Sequence, residues 1–195
     1  MRRFLPHTAL GLFVGQLLLM LVSWLMNAAA PDSGVRSLLS GEGLRWLLGR
    51  FADTLAMPLL VWLVLLSMAY GCLLRSGLLR RPATYREQRA LPLALAVLAA
   101  IVIVMVLLTA VPHAVLLSVT GSLWPSPFSA SLPSVVAFTV VLVSSVYGTV
   151  AGTFGRVADI YDALIDGLHR GAPLLLFYVL LAQLYYSLAF AFLQQ

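Results

Sequence analysis

Five long apolar stretches without any Asp, Glu, Lys or Arg follow one another along the chain. They cover about Thr8–Ala30, Leu55–Leu74, Leu91–Val111, Ser134–Phe154 and Ala172–Leu193. A helix rises about 1.5 Å per residue, so roughly 20 apolar residues cross about 30 Å of hydrocarbon. The pattern therefore predicts an all-α integral membrane protein with about five transmembrane helices, forming a single membrane domain over residues 1–195.

The first apolar stretch also has features of a cleavable signal peptide. Arg2 and Arg3 precede it, and Ala28 and Ala30 stand near its end. However, the stretch is longer than the roughly 7–15 apolar residues of a signal core, and Pro31 follows the possible cleavage point. We therefore favour a retained helix.

Arginine is distributed unevenly between the segments that connect the spans. Arg2 and Arg3 precede the first span, five arginines lie in the linker 75–90, and Arg156 and Arg170 separate the last two spans. The other connections hold only three arginines. The positive-inside rule therefore predicts a cytoplasmic N-terminus, a basic cytoplasmic linker at 75–90 and an external C-terminus.

Two connecting segments have the composition of amphipathic helices that lie on a membrane surface. Leu38–Phe51 combines Leu, Trp and Phe with Arg45 and Arg50, and Ser40 stands where a helix N-cap is expected. Gly155–Gly171 is the second such segment. We expect one or two interfacial helices in addition to the five spans.

The composition narrows the functional classes. Hydrophobic residues make up 62% of the chain and charged residues 10%, whereas soluble domains have about 25% charged residues. This excludes a cytosolic enzyme, a disordered tail and a nucleic-acid-binding module as first interpretations, and it makes the lipid bilayer a partner. The net charge of +5 arises from arginine without lysine, which fits orientation and headgroup contact.

Small residues at four-residue spacing occur in two spans. Gly11 and Gly15 form one such pair, and Gly148 and Gly152 form the other. This spacing places both glycines on one helical face, where another backbone can approach closely. We expect helix packing within the chain, with subunit contact and a ligand path as alternatives.

Several uncharged polar side chains also lie inside the spans, namely Gln16, Asn27, Gln183, Tyr185 and Tyr186. Hydrogen bonding between helices, or headgroup anchoring near the span ends, is the favoured interpretation. Substrate contact is the alternative, with Gln183 as its candidate site.

A polar stripe at steps of three and four residues precedes the last span, formed by Arg156, Asp159, Asp162, Asp166, His169 and Arg170. A solvated cytoplasmic face with internal ion pairs is favoured over a metal site, although Asp and His at this spacing could bind a metal ion. The chain also lacks a phosphate-binding loop, an H-E-x-x-H motif, a Cys/His cluster and a credible nucleophile–base pair. We therefore expect no catalytic residue, no metal and no cofactor.

Several strings resemble segments of one transporter family and occur in the family's order. They are Leu5-Pro6-His7, Leu38–Trp46, Gly71–Leu78, Thr120–Phe128, Tyr147–Thr153 followed by Asp159, and Ala182-Gln183. Together they resemble the AbgT family, the aminobenzoyl-glutamate and antimetabolite transporters of bacterial inner membranes. The resemblance implies a multi-pass protein of the bacterial inner membrane that takes part in transport and is not an enzyme.

The chain departs from the family where substrate and ion handling are expected. Members are considerably longer and carry a block with a re-entrant hairpin where this chain has the linker Leu79–Ala90. Leu74 stands where the family tends to have Glu. In family members, a second hairpin follows the helix that corresponds to the one with Gln183 in this chain. The matching parts are framework-like, so no site residue of the family is carried over.

We therefore expect a transporter-related framework protein, acting as an oligomeric scaffold or as a subunit beside a partner membrane protein. One alternative is an autonomous homodimer that exports or imports small aromatic acids. The other is a structural assembly protein without a solute.

The orientation can be tested by cysteine labelling. A cysteine in place of Ala83 lies in the arginine-rich linker, which we predict to face the cytoplasm. It should resist membrane-impermeant thiol reagents in intact cells and react after the cells are permeabilised. Ready labelling from outside would reverse the predicted orientation.

Overall fold

The apolar stretches and their connectors form helices in a computed structural model, which describes residues 4–31, 34–110 and 127–193. The helices are α1 Phe4–Ala29, α2 Gly41–Gly49, α3 Phe51–Leu55, α4 Pro58–Ser76, α5 Tyr85–Ala110, α6 Pro127–Ala151 and α7 Val157–Leu188. Five of these, α1 and α4 to α7, are long and apolar enough to cross a membrane. The all-α, five-span prediction is therefore confirmed for the described residues, which form no strand.

Most of the last connector, Gly155–Gly171, is helical, as the sequence predicts. It is continuous with the fifth span in α7, which has 32 residues. The small residues of this segment pack against α4, and Pro173 lies within α7 without ending it. Beyond Leu188 the chain continues as a short π-helical turn, Ala189–Leu193.

Two stretches used in the sequence analysis lie outside the described residues. They are Arg2 with Arg3, and most of the charge-free connection that contains Thr120–Phe128. Contacts divide the chain into two compact units, Met1–Val61 with Ala172–Gln195 and Trp62–Gly171. The prediction of a single membrane domain stays a prediction.

In the first unit, the segment after α1 packs against the ends of two long helices. Leu38 is completely buried beside Phe190 and Ala191, and its N–H donates to Ser23 Oγ of α1 at 3.2 Å. Trp46 of α2 stacks on Phe190 with 4.5 Å between the ring centroids. The C-terminal ends of α1 and α7 therefore lie on the same side of this unit, as an odd number of spans requires.

Helix α2 begins where the sequence predicts. Ser40 is its N-cap, and its Oγ accepts a hydrogen bond from the N–H of Gly43 at 3.1 Å. Leu44 and Leu48 are exposed on this short helix, and Phe51 is exposed at the start of α3. An exposed apolar edge of this kind is typical of a helix that lies on a membrane surface.

In the second unit, α4 and α7 approach each other backbone to backbone. A methyl group on Gly71 would overlap the Cα of Gly167 and the carbonyl oxygen of Ala163. Gly171 faces Ser67 one turn away in the same contact. Small residues at four-residue spacing allow helices to come this close. We call these five residues, Ser67, Gly71, Ala163, Gly167 and Gly171, the small-residue seam.

Helices α5 and α6 of the same unit pack antiparallel. Ala90 and Ala94, near the start of α5, form a buried cluster with Val143 and Tyr147, near the end of α6. The starts of α5 and α7 and the ends of α4 and α6 consequently meet at one end of this unit.

The four glycines predicted to pack against helices have different surroundings. A Cβ on Gly11 or Gly15 would meet no described atom within 4 Å. A Cβ on Gly148 would overlap the ring of Phe154, which belongs to the turn after α6. Gly152 lies just beyond α6 with a φ of +86°, a conformation that glycine adopts without strain. The packing role of these glycines stays a prediction.

The small-residue seam predicts a specific sensitivity to added methyl groups. Gly167→Ala would place a Cβ against the backbone of Ser67 and Gly71, so the free energy of unfolding should fall by about 1–3 kcal/mol. Thermal unfolding in detergent would show this as a lower Tm. Gly15→Ala is the matched control, because its Cβ has open space among the described residues and alanine favours a helix by about 0.5–1 kcal/mol. Equal Tm values for the two variants would contradict the seam.

Candidate functional site

A polar cavity lies where α4 and α6 end and α5 and α7 begin. Its volume is about 510 Å³, within the range of about 300–1,000 Å³ that is usual for small-molecule pockets. All of its lining residues belong to the unit Trp62–Gly171. We call it the arginine cavity, because its charged lining residues are Arg75, Arg80, Arg81 and Arg170 with Glu87 and Asp166.

Local backbone turns bring the linker after α4 to this cavity. Gly77 follows the last residue of α4 with a φ of +82°, which reverses the chain, and the N–H of Arg80 donates to the Gly77 carbonyl oxygen at 2.9 Å. Thr153, in the turn after α6, has its Oγ 3.1 Å from the carbonyl oxygen of Ser76. The ends of α4 and α6 are thereby joined beside the first arginines of the linker.

One arginine of the cavity is already paired. Arg75 Nη1 of α4 lies 3.0 Å from Asp166 Oδ2 of α7, and the two side chains are 41% and 56% exposed. A pair with this exposure contributes roughly 0–1 kcal/mol to stability. Its main effect is therefore to neutralise Arg75 and to engage the carboxylate of Asp166.

Glu87 is engaged by the start of α5. Its Oε2 accepts hydrogen bonds from the backbone N–H of Ala83 at 2.7 Å and of Thr84 at 3.2 Å. Thr84 and Glu87 have the three-residue spacing of a capping box. This carboxylate therefore stabilises the first turn of α5 and fixes where the linker ends.

The remaining donors of the cavity have no acceptor of their own. Within residues 4–31, 34–110 and 127–193, the structure gives the side chains of Arg80, Arg81 and Arg170 no hydrogen bond and no ion pair. Tyr147 lines the same cavity with only 2% of its surface exposed, and its hydroxyl makes no hydrogen bond to a described residue either. Four arginines and two carboxylates give the lining a formal charge of +2. The cavity can therefore accept an anion through guanidinium groups and one neutral hydroxyl donor.

The predicted polar stripe divides between the cavity and the exposed surface. Asp166 and Arg170 line the arginine cavity, whereas Arg156, Asp162 and His169 are exposed and do not line it. Across the part of the chain that the structure describes, no group of three or more His, Cys, Asp and Glu could hold a metal ion.

Asp159, the remaining stripe residue, caps α7. Its Oδ2 accepts hydrogen bonds from the N–H of Gly155 at 2.8 Å and of Arg156 at 2.9 Å. A negative charge in the first turn also interacts favourably with the helix dipole. Asp159 therefore fixes the start of α7, two turns before Asp166 enters the cavity wall.

The polar residues inside the spans form a separate group in the first unit. Gln16 Nε2 of α1 donates to Ser187 Oγ of α7 at 2.8 Å. Gln183 lies one turn before Ser187, and its side-chain oxygen is buried without a hydrogen-bond partner among the described residues. Hydrogen bonds of this kind hold helices together in apolar surroundings. Substrate contact by Gln183 stays a prediction.

The sequence interpretation missed most of the arginine cavity. It treats Arg80 and Arg81 as topology signals, and it assigns no role to Tyr147. One available signal was the capping-box spacing of Thr84 and Glu87, which predicts a helix start directly after these arginines. No local pattern indicates that Tyr147 faces the same space.

Comparisons with known proteins identify the family. No curated protein and no solved structure matches the chain. Residues 78–193, more than half of the chain, match the AbgT putative transporter family, and the match includes α5, α6 and α7. The resemblance seen in the sequence is thereby confirmed, and the five long helices are those of a multi-pass membrane protein. The chain belongs to the AbgT putative transporter family.

Proposed function

We propose that the chain is a framework component of an AbgT-type transport system in the bacterial inner membrane, and that its arginine cavity collects a small organic anion. One observation carries the proposal: Arg80, Arg81 and Arg170 line a cavity of about 510 Å³, and their guanidinium groups have no acceptor among the described residues. A cleft lined by one sign of charge raises the local concentration of ligands with the opposite charge. At the predicted cytoplasmic end of the spans, such a cavity suits the reception of an anionic solute.

The composition of the spans supports a framework role. The five predicted spans contain no Asp, Glu, Lys or Arg, whereas transporters commonly place ionisable groups or broken helices near the midplane. Moving an unpaired anion into this hydrocarbon region would cost about 2.5–3.5 kcal/mol of free energy or more. We therefore assign the crossing step to another membrane element, such as a partner protein or a second copy.

Two helices offer faces for such a partner. In the most apolar 18-residue windows of α1 and α5, only 6% of the residues are buried. Gly11 and Gly15 of α1 have open space around them, so another helix could approach closely there. Association into a homo-oligomer or with a partner membrane protein is therefore part of the proposal.

An autonomous transporter of small aromatic acids is the second candidate, and one observation favours it. The buried side-chain oxygen of Gln183 lacks a hydrogen-bond partner among the described residues, so it could accept a hydrogen bond from a solute. A structural assembly protein without a solute is the third candidate, and it requires that the arginine cavity bind no organic anion.

Binding of an aromatic acid should depend on the arginine cavity. We expect the purified chain to bind benzoate or aminobenzoyl-glutamate, and Arg170→Gln to weaken binding about fivefold, because a partly exposed charged hydrogen bond contributes about 1 kcal/mol. Titration calorimetry in detergent measures the change. Arg156→Gln is the matched control, since Arg156 is exposed and does not line the cavity. Equal losses in both variants, or no binding to the unaltered chain, would refute the proposed collection of anions.

Reconstitution distinguishes the framework from an autonomous transporter. Proteoliposomes that contain only this chain should take up no more aminobenzoyl-glutamate than empty liposomes, because its spans offer no compensating charge to an anion. Radiolabelled uptake measures this. Saturable uptake that Gln183→Ala abolishes would reject the framework role and support the autonomous transporter.

A further inference from the structure

We propose that the arginine cavity prefers a phosphate-type dianion, such as a phosphate monoester or a phosphate-bearing lipid headgroup, over a carboxylate. This inference rests on the proposed function, because the same cavity collects the anion. It adds the chemical class of the group that the cavity is built to hold.

The charge of the lining matches a dianion. Asp166 is held by Arg75 at 3.0 Å, and Glu87 accepts two backbone N–H groups, so the chain itself engages both carboxylates. The lining keeps a formal charge of +2. A phosphate monoester carries about −1.5 to −2 at neutral pH, whereas a single carboxylate carries one negative charge. A phosphate monoester therefore neutralises the cavity, and a carboxylate leaves about one positive charge uncompensated.

The free donors also exceed what a single carboxylate can use. Arg80, Arg81 and Arg170 each present a planar fork of N–H groups, and Tyr147 adds an O–H from a buried position. A carboxylate offers two acceptor oxygens, while a phosphate monoester offers three. Guanidinium groups bind phosphate oxygens in parallel pairs of hydrogen bonds. Three guanidinium groups and a hydroxyl are therefore a better match for phosphate.

The surroundings of the cavity allow two sources for this group. A volume of about 510 Å³ leaves room for an organic part beside the phosphate, and Leu74 gives the lining an apolar surface. Leu79 of the linker and Tyr85 at the start of α5 are 67% and 65% exposed. Exposed Leu and Tyr side chains beside arginines are typical of a membrane–water boundary. The same phosphate chemistry could thus come from a soluble monoester or from a lipid headgroup.

Titrations of the purified full chain test the preference without any variant. The probes are inorganic phosphate, phenyl phosphate, benzoate and succinate, compared near neutral pH at matched ionic strength because salt screens exposed charges. We expect phenyl phosphate to bind at least about tenfold more tightly than benzoate, since charged hydrogen bonds to phosphate are among the strongest in proteins. Inorganic phosphate should bind measurably, and succinate, whose two negative charges lie on separate carboxylates, should bind more weakly than phenyl phosphate.

Three variants connect the preference to named groups. Tyr147→Phe removes one hydroxyl and keeps the packed ring, so it should weaken phenyl phosphate several-fold and affect benzoate less. Asp166→Asn releases Arg75 and should tighten the binding of phenyl phosphate, a gain that a misfolded variant cannot imitate. Arg156→Gln lies outside the cavity and should change neither affinity. Unchanged phenyl phosphate affinity in both Tyr147→Phe and Asp166→Asn would overturn the proposal.

Nanodiscs distinguish the two sources of phosphate. The chain is placed in phosphatidylcholine discs with or without phosphatidate, and phenyl phosphate is titrated into both. Competition by phosphatidate, lost when Arg80 and Arg81 are both changed to Gln, supports a lipid headgroup as the ligand. Equal phenyl phosphate affinity in both discs supports a soluble monoester.

Two results separate this inference from the proposed function. If succinate or benzoate binds the cavity as tightly as phenyl phosphate, and Arg170→Gln weakens that binding, the phosphate preference is wrong while the collection of anions stands. If the unaltered chain binds none of these anions, in detergent or in discs, both fail.

Discussion

The close contact between α4 and α7 is the interaction on which the arginine cavity depends. Gly71 and Gly167 carry no side chain at the crossing, so the two backbones come closer than a methyl group would allow. Arg75 follows Gly71 by one turn and Asp166 immediately precedes Gly167, and at this separation their side chains meet at 3.0 Å. Because an ion pair with this exposure adds roughly 0–1 kcal/mol, packing determines the geometry and the charge follows it.

The cavity has free arginine donors because the nearby carboxylates are bound by backbone N–H groups or by Arg75. Glu87 satisfies two N–H groups at the start of α5, and Asp159 does the same at the start of α7. Asp166 neutralises Arg75. These carboxylates therefore stabilise helix starts or a helix contact, and Arg80 and Arg81 of the basic linker keep their side-chain donors for a ligand. Glu87 and Asp166 thus help to form the walls of the cavity, and the lining as a whole stays positively charged.

The five spans could be predicted from the sequence because crossing a bilayer is a local requirement. Every backbone polar group in the hydrocarbon needs an internal partner, so a long apolar run has to be a helix. The start of α2 at Ser40 was predictable for a similar reason, since an N-cap acts within three residues. The continuity of α7 through Gly171 and Pro173 was not, because glycine and proline are common at helix ends. At this point of the helix Gly171 packs against Ser67 of α4, a contact between distant parts of the chain.

By itself, the sequence determined the class of the protein, the number of its spans and its likeness to a transporter family, because apolar run length and short motifs are properties of neighbouring residues. Only the tertiary structure decided where an anion can bind. Arg75 and Asp166 are 91 positions apart in the sequence, yet they form one wall of the arginine cavity. Whether an arginine is paired or free depends on which helix faces it, and no pattern along a single helix records that contact.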